Sequence, residues 1–161
     1  MRKSNVSAPS SGQRTVFLTL LILFCFPLLA AAQTPLAGEK SVGGSAPDYP
    51  NLQTAIKYLN AFGVGNGGVT FKIRTGTYTG PYTVTAKGTA QNPITFEADS
   101  GATPVLTGVS NNQGSVSRLF WVKGSHVTIQ GLNFSSTKMY TQLSIASTAK
   151  NTNMLGTMLF E

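Results

Sequence analysis

The fold is decided by residues 67–98, which read GGVTFKIRTGTYTGPYTVTAKGTAQNPITFEA. In three short runs within this stretch every second residue is apolar, and the residues between them are Thr, Lys, Arg or Glu. Such alternation predicts β-strands with one buried face. Gly, Pro, Thr and Asn separate the runs and are typical of turns. The predicted strands are Val69–Arg74, Tyr82–Ala86 and Ile94–Ala98.

Further apolar runs continue the pattern at a regular spacing. The leading strands of successive pairs begin at positions 69, 94, 119 and 143, so the pattern recurs with a nearly constant period. This period, without intervening helices, predicts a coiled β-solenoid in which each turn stacks in parallel on the turn before. An immunoglobulin-like sandwich is the alternative, although few hairpin dipeptides separate the strands. The later runs are Val105–Thr107, Leu119–Lys123, Val127–Gln130 with Leu132 and Phe134 beyond, Leu143–Ser147 and Met154–Phe160.

Two parts of this pattern leave the local structure open. Apolar residues occupy both faces of the strand at residues 119–123, so its register is not determined by alternation. Residues 111–117, NNQGSVS, predict a loop at one corner of the solenoid.

One amphipathic helix precedes the strands. Apolar residues recur at helical spacing and predict a helix of about twelve residues with one apolar face. Asp48 is the predicted N-cap, Pro50 suits the first turn, and Gly63 follows the last apolar residue. We expect the helix to cover the open end of the sheet. Its apolar face comprises Leu52, Ala55, Ile56, Leu59 and Phe62.

Residues 1–32 predict a secretory signal peptide. A basic segment precedes the apolar core Val16–Leu29, and Ala30–Ala32 offers small residues for cleavage before Gln33. A membrane anchor is the alternative, but the apolar stretch is at the lower edge of a span and contains Pro27. We expect a secreted or cell-surface protein with no membrane segment after cleavage. Residues 33–47 form a polar lead-in, and residues 48–161 form the cap helix and first coils.

Basic residues outnumber acidic ones, and most of them are scattered along the chain. The chain has 12 basic and 5 acidic residues, and three of the basic residues lie in the first fourteen positions. The other Lys and Arg residues are scattered singly, which disfavours nucleic acid as a partner. A mild positive charge suits an acidic polysaccharide, although an ordinary solvated surface is the simpler interpretation. Cys25, the only cysteine, lies in the leader, so no disulfide is expected; the oligomeric state is not determined.

Four sequence pieces occur in a characteristic order: YPNLQTAI at 49–56, TGTY at 75–78, KGTAQNPITF at 87–96 and VTIQGLNF at 127–134. Over about residues 41–135 they resemble the start of pectate-lyase-like right-handed parallel β-helix proteins. The resemblance implies an all-β fold, a right-handed parallel β-helix (solenoid) with one N-terminal amphipathic capping helix. It does not imply one activity, because these coils occur in polysaccharide lyases, pectin-esterase-like proteins and surface proteins without catalysis.

Candidate catalytic groups are sparse. Glu97 and Asp99 are the one closely spaced pair of carboxylates. They could bind calcium or pair with Lys72 and Arg74 on the preceding coil, but two carboxylates make an incomplete calcium site, and an exposed charged face is the simpler interpretation. His126, in a turn, is interpreted as a spectator. We assign no catalytic residue, no metal site and no cofactor.

Polysaccharide contact is assigned to Lys72, Arg74 and Trp121. The predicted period places Lys72 and Arg74 beside Thr95 and Glu97 and, one coil further, beside Phe120 or Trp121. Cations would attract acidic sugars, and an aromatic face would stack on a sugar ring. Trp121 and the tyrosines are interpreted first as core residues; the weaker candidates for sugar stacking are Tyr78, Tyr82 and Tyr140.

These expectations combine into a secreted or cell-surface β-helix protein associated with polysaccharide and without its own active site. The alternatives are the N-terminal part of a polysaccharide lyase or related pectin- or alginate-processing enzyme with its catalytic coils beyond residue 161, and a non-enzymatic adhesin-like scaffold. The apolar run 154–160 lacks a polar cap, so we expect a longer β-helix protein.

Overall fold

The computed structural model describes residues 34–108, 118–135, 141–156 and 158–160. The predicted signal peptide, the predicted loop at 111–117 and Tyr140 lie outside the described residues. The described residues form one helix and twelve strands: β1 (Leu36–Val42), α1 (Leu52–Phe62), β2 (Val64–Ile73), β3 (Gly76–Thr79), β4 (Tyr82–Val84), β5 (Ile94–Ala98), β6 (Pro104–Thr107), β7 (Arg118–Val122), β8 (Val127–Gln130), β9 (Asn133–Ser135), β10 (Thr141–Ile145), β11 (Asn153–Leu155) and β12 (Met158–Phe160).

The strands form three parallel sheets. Sheet 1 has the order β1-β2-β5-β8-β11, sheet 2 the order β12-β9-β6-β3, and sheet 3 the order β10-β7-β4. From β2 onward the chain visits sheets 1, 2 and 3 in that order and then begins again, so every third strand returns to the same sheet. The strand-rich character predicted from the alternation, and the parallel stacking predicted from the period, are confirmed. The immunoglobulin-like sandwich is wrong, because that fold is built from antiparallel sheets.

From β2 onward, the stacked strands of sheet 1 are regularly spaced along the chain except in one circuit. Val69 pairs with Ile94, the partner that the predicted period gives it. Ile94 then pairs with Val127, well beyond Leu119, so this circuit is longer. In the following circuit Thr128 pairs with Asn153, and the spacing is again the shorter one. The prediction that strands beginning at positions 94 and 119 stack on each other is therefore wrong. The longer circuit includes residues 109–117, between β6 and β7.

Aromatic side chains link the three sheets into one core. Phe71 stacks on Phe96 with ring centroids 5.0 Å apart, as expected for residues directly opposite on β2 and β5. Phe96 of sheet 1 meets Phe120 of sheet 3 at 5.7 Å, and Phe120 meets Phe134 of sheet 2 at 6.2 Å. All four rings are fully buried. One face of each sheet thus contributes buried aromatic side chains to a shared interior.

Helix α1 packs against strands at the edges of two sheets. Its predicted apolar face is buried at Leu52, Ala55, Ile56 and Leu59, and it lies against β1, β2 and β4. β1 and β4 are the edge strands of sheets 1 and 3, so the helix lies at the edges of both sheets.

Both ends of α1 have identifiable caps. Asn51 is the N-cap, since its side chain accepts a hydrogen bond from the Thr54 backbone N–H. The prediction that Asp48 caps the helix is wrong, because its carboxylate accepts hydrogen bonds from the backbone and hydroxyl of Ser41 instead. Gly63 ends the helix with a φ of 70°, a conformation that favours glycine.

Asn60, near the end of α1, joins the helix to β4. Its amide nitrogen donates to the carbonyl of Thr83 at 2.8 Å. Its amide oxygen accepts from the backbone N–H groups of Thr85 at 2.8 Å and Ala86 at 3.1 Å. One side chain therefore occupies the hydrogen-bonding groups that a neighbouring strand would otherwise use.

Within the described part of the chain, no helix is both long enough and apolar enough to cross a membrane.

Candidate functional site

Lys72 lies in an ion-paired row on the outward face of sheet 1. Register places it directly opposite Glu97 of β5, with which its ammonium forms an ion pair. The ammonium also lies 3.6 Å from a carboxylate oxygen of Glu39. The hydrogen bond with Glu97 raises the pKa of Lys72. One of the two predicted polysaccharide contacts in this sheet is therefore already between two carboxylates.

Arg74, at the end of β2, is likewise occupied. Its Nε lies 3.8 Å from Oδ2 of Asp99. Its Nη1 donates to the backbone carbonyls of Ser45 at 2.6 Å and Gly43 at 3.3 Å. Glu97 and Asp99 therefore pair with the two cations, which the sequence left open beside the simpler interpretation of an exposed charged face, and Arg74 also holds the loop after β1.

These ion pairs occupy the two carboxylates that the sequence offers to calcium. A calcium ion at Glu97 and Asp99 would have to displace Lys72 and Arg74 from both carboxylates. Among the described residues, no group of three or more His, Cys, Asp or Glu side chains is placed to hold a metal ion.

Trp121 lies in a different sheet from Lys72 and Arg74. Its strand, β7, belongs to sheet 3, between β4 and β10. The predicted row in which Trp121 follows Glu97 is wrong, because β5 pairs with β8 and Gln130 is the residue opposite Glu97. The longer circuit shifts β7 out of that row.

Trp121 is half-buried and has small hydroxyl residues beside it. Register places Thr83 of β4 and Ser144 of β10 directly opposite Trp121. Adjacent strands lie about 4.8 Å apart, so these hydroxyls border the indole on both sides. Both Thr83 and Ser144 are also partly exposed.

Two cations lie over the indole of Trp121. The guanidinium carbon of Arg118 is 4.4 Å from the ring centroid, and the Lys123 ammonium is 3.7 Å from it. Both distances are within the range of cation–π attraction. We call Arg118, Trp121 and Lys123 the indole–cation cluster.

Only part of this cluster could be predicted from the sequence. Lys123 is two residues from Trp121, as strand alternation requires for side chains on one face. Arg118 is three residues away and belongs to the opposite face in a regular strand. Leu119 and Phe120 are both fully buried, so the alternation is broken between Arg118 and Trp121. Arg118 therefore lies over the indole although it is three residues away.

The cluster has no carboxylate partner among the described residues. The chain contains five Asp and Glu residues. Glu39, Glu97 and Asp99 pair with Lys72 or Arg74, and Asp48 is bonded to Ser41. Glu161 is the remaining acidic side chain, and it lies outside the described residues.

Two other candidates for sugar stacking, Tyr78 and Tyr82, are buried. Tyr78 is 7% exposed and Tyr82 is 2% exposed, so the interpretation of both as core residues is confirmed. The Tyr78 hydroxyl lies 2.9 Å from the carbonyl of Arg74, to which it donates, and burial raises the pKa of both tyrosines.

His126 occupies the turn before β8, as the sequence predicted. Its φ is 55°, and its Nε2 lies 2.9 Å from the side-chain amide nitrogen of Asn151 in the next circuit. Its backbone N–H donates to the carbonyl of Lys150 at 2.8 Å. These contacts join successive circuits, so they favour a structural interpretation of the histidine.

Comparison with known proteins does not assign a family. No protein-family model matches the chain, and no curated protein or solved structure matches it.

Proposed function

We propose that this chain is an extracellular right-handed parallel β-helix of the pectate-lyase-like type, secreted or held at the cell surface, that binds polysaccharide without turning it over. The observation that carries the proposal is the regular return of the chain to the same sheet at every third strand. Parallel strands joined in this way are connected with a right-handed crossover in about 98% of cases.

Two further observations support a β-helix. The rings of Phe96, Phe120 and Phe134 bring all three sheets to one interior. Helix α1 lies on edge strands of sheets 1 and 3, where a cap would protect a solenoid from pairing with other strands.

Binding rather than catalysis suits the arrangement of charges. Elimination from a uronate requires a base and cations that converge on one sugar. Lys72 and Arg74 are paired with Glu97 and Asp99, so both the cations and the acids are engaged with one another. Trp121 has Thr83 and Ser144 beside it and two cations over its ring, so this outer surface combines aromatic, hydroxyl and charged groups of the kind that bind sugars.

The test combines retention with a turnover assay. Exported full-length protein, which we expect to begin at Gln33, is incubated with insoluble acidic and neutral polysaccharides, and bound protein is measured. The ultraviolet absorbance of unsaturated uronate ends is followed on pectate and alginate, with and without calcium. We expect retention and no sustained rise in absorbance. Retention by none of the polysaccharides contradicts binding, and a sustained rise lost on mutation of Lys72 or Arg74 contradicts the absence of turnover.

A further inference from the structure

We propose that the indole–cation cluster of sheet 3 is the binding site for the anionic groups of an acidic polysaccharide, and that it binds them without calcium. The inference rests on the proposed function, because it assigns the site and the charge of the polysaccharide. It replaces Lys72 and Arg74 as the cationic contacts and adds Arg118 and Lys123.

The two cations of the cluster are close together. Both lie over the ring of Trp121, so the Arg118 guanidinium carbon and the Lys123 ammonium are at most about 8 Å apart, the sum of 4.4 Å and 3.7 Å. Two like charges at this separation repel each other and together raise the local positive potential. An anion bound beside them reduces that repulsion.

The chain itself offers few counterions for this pair. Four of the five acidic side chains are engaged with Lys72, Arg74 or Ser41. Residues 109–117 and 136–140 contain no Asp or Glu. Arg118 and Lys123 are partly exposed, so a ligand from solution can reach them.

The chemistry of the cluster suits a charged sugar rather than a simple ion. An arginine donates paired N–H groups to a carboxylate, and lysine adds a point charge. Contact with the indole restricts both side chains, which reduces the entropy lost on binding. The hydroxyls of Thr83 and Ser144 lie in the same row as Trp121 and can hydrogen-bond to sugar hydroxyls.

Calcium is not required by this geometry. A cation bridge is needed where a protein carboxylate faces a sugar carboxylate. In the indole–cation cluster the protein supplies the positive charges directly, so chelation of calcium should leave binding unchanged.

The test uses the fluorescence of Trp121, the only tryptophan in the chain. Full-length protein is titrated with soluble polygalacturonate, and with dextran as the neutral comparison, at low salt and in EDTA. We compare wild type with the double variant Arg118→Gln/Lys123→Gln. The matched control is Lys57→Gln/Lys87→Gln, which removes the same charge from two exposed lysines elsewhere. Circular dichroism checks that all variants keep the same fold.

We expect polygalacturonate, but not dextran, to change the Trp121 emission saturably. Loss of the two charged hydrogen-bonding groups should weaken binding at least about tenfold in the cluster variant, against less than about threefold in the control. Equal affinity of the cluster variant and the control overturns the site but leaves the proposed function standing. Retention of the protein by insoluble polygalacturonate without a change in Trp121 emission, or retention that is lost on addition of EDTA, also overturns the site. Absence of binding to any polysaccharide overturns the proposed function as well.

Discussion

At the scale of single residues, some cations are paired with carboxylates and others are not. Lys72 and Arg74 stand out in the sequence because they alternate with apolar residues in the predicted strand Val69–Arg74, yet the structure pairs both with acids. Arg118 is less conspicuous in the sequence and contacts Trp121. Which cations are free depends on strand register, and register depends on the length of one circuit.

Asp48 provides a prediction on pH. Its hydrogen bonds from Ser41 hold the pKa of the carboxyl below its ordinary value of 3.8. The charged form therefore stabilises the fold above that value, and this contribution is lost as the pH falls through the lower folded pKa. Asp48→Asn should lower the free energy of unfolding at pH 7 by about 0.5 kcal/mol, a small value because the group is exposed.

The measurement is thermal unfolding followed by circular dichroism at pH 7 and pH 2.5. The difference in Tm between wild type and Asp48→Asn should be present at pH 7 and shrink at pH 2.5. A difference that grows on acidification would have the wrong sign for a carboxyl with a lowered pKa.

At the scale of elements, strong periodicity predicted structure best. The helix and the strands β5 and β8 have near-complete apolar periodicity, and their positions along the chain agree with the prediction. β1 was not predicted, since it buries only Leu36 and Val42 and its register shifts between Leu36 and Gly38. β3 overlaps Thr75-Gly76-Thr77, which the sequence predicts to be a turn because Gly and Thr are typical of turns, and the strand buries one residue, Tyr78. Short strands depend on their neighbours more than on their own sequence.

The role of helix α1 can be tested at Ile56. This side chain is 3% exposed and belongs to the face that packs against the edge strands. Ile56→Ala should lower the free energy of unfolding by about 2–5 kcal/mol, because it removes buried methyl groups and leaves a cavity. Urea unfolding measures the change.

Lys57→Ala is the matched control, since Lys57 is the adjacent residue on the exposed face of the same helix. It should change the free energy of unfolding by less than about 0.5 kcal/mol. Equal effects of the two substitutions would mean that the helix does not depend on its buried face.

At the scale of the whole molecule, the order in which the chain visits the sheets determines which side chains meet. The regular circuits could be predicted from the recurrence of the apolar pattern, which pairs Val69 with Ile94. The longer circuit from Ile94 to Val127 could not, because residues 119–122 are apolar on both faces and imitate the start of a new coil. The prediction placed Trp121 beside Lys72 and Arg74 for this reason, whereas the structure gives it Arg118 and Lys123 as neighbours.

The central claim is that β8, and not β7, stacks on β5, which leaves Trp121 in sheet 3. Nitroxide labels at Thr95→Cys and Thr128→Cys, in protein carrying Cys25→Ser, test it by electron paramagnetic resonance. These residues are directly opposite in sheet 1, where strands are about 4.8 Å apart. We predict a spectrum dominated by spin exchange between touching labels. A spectrum equal to the sum of the two single-labelled proteins would contradict this register and the separation of Trp121 from Lys72 that follows from it.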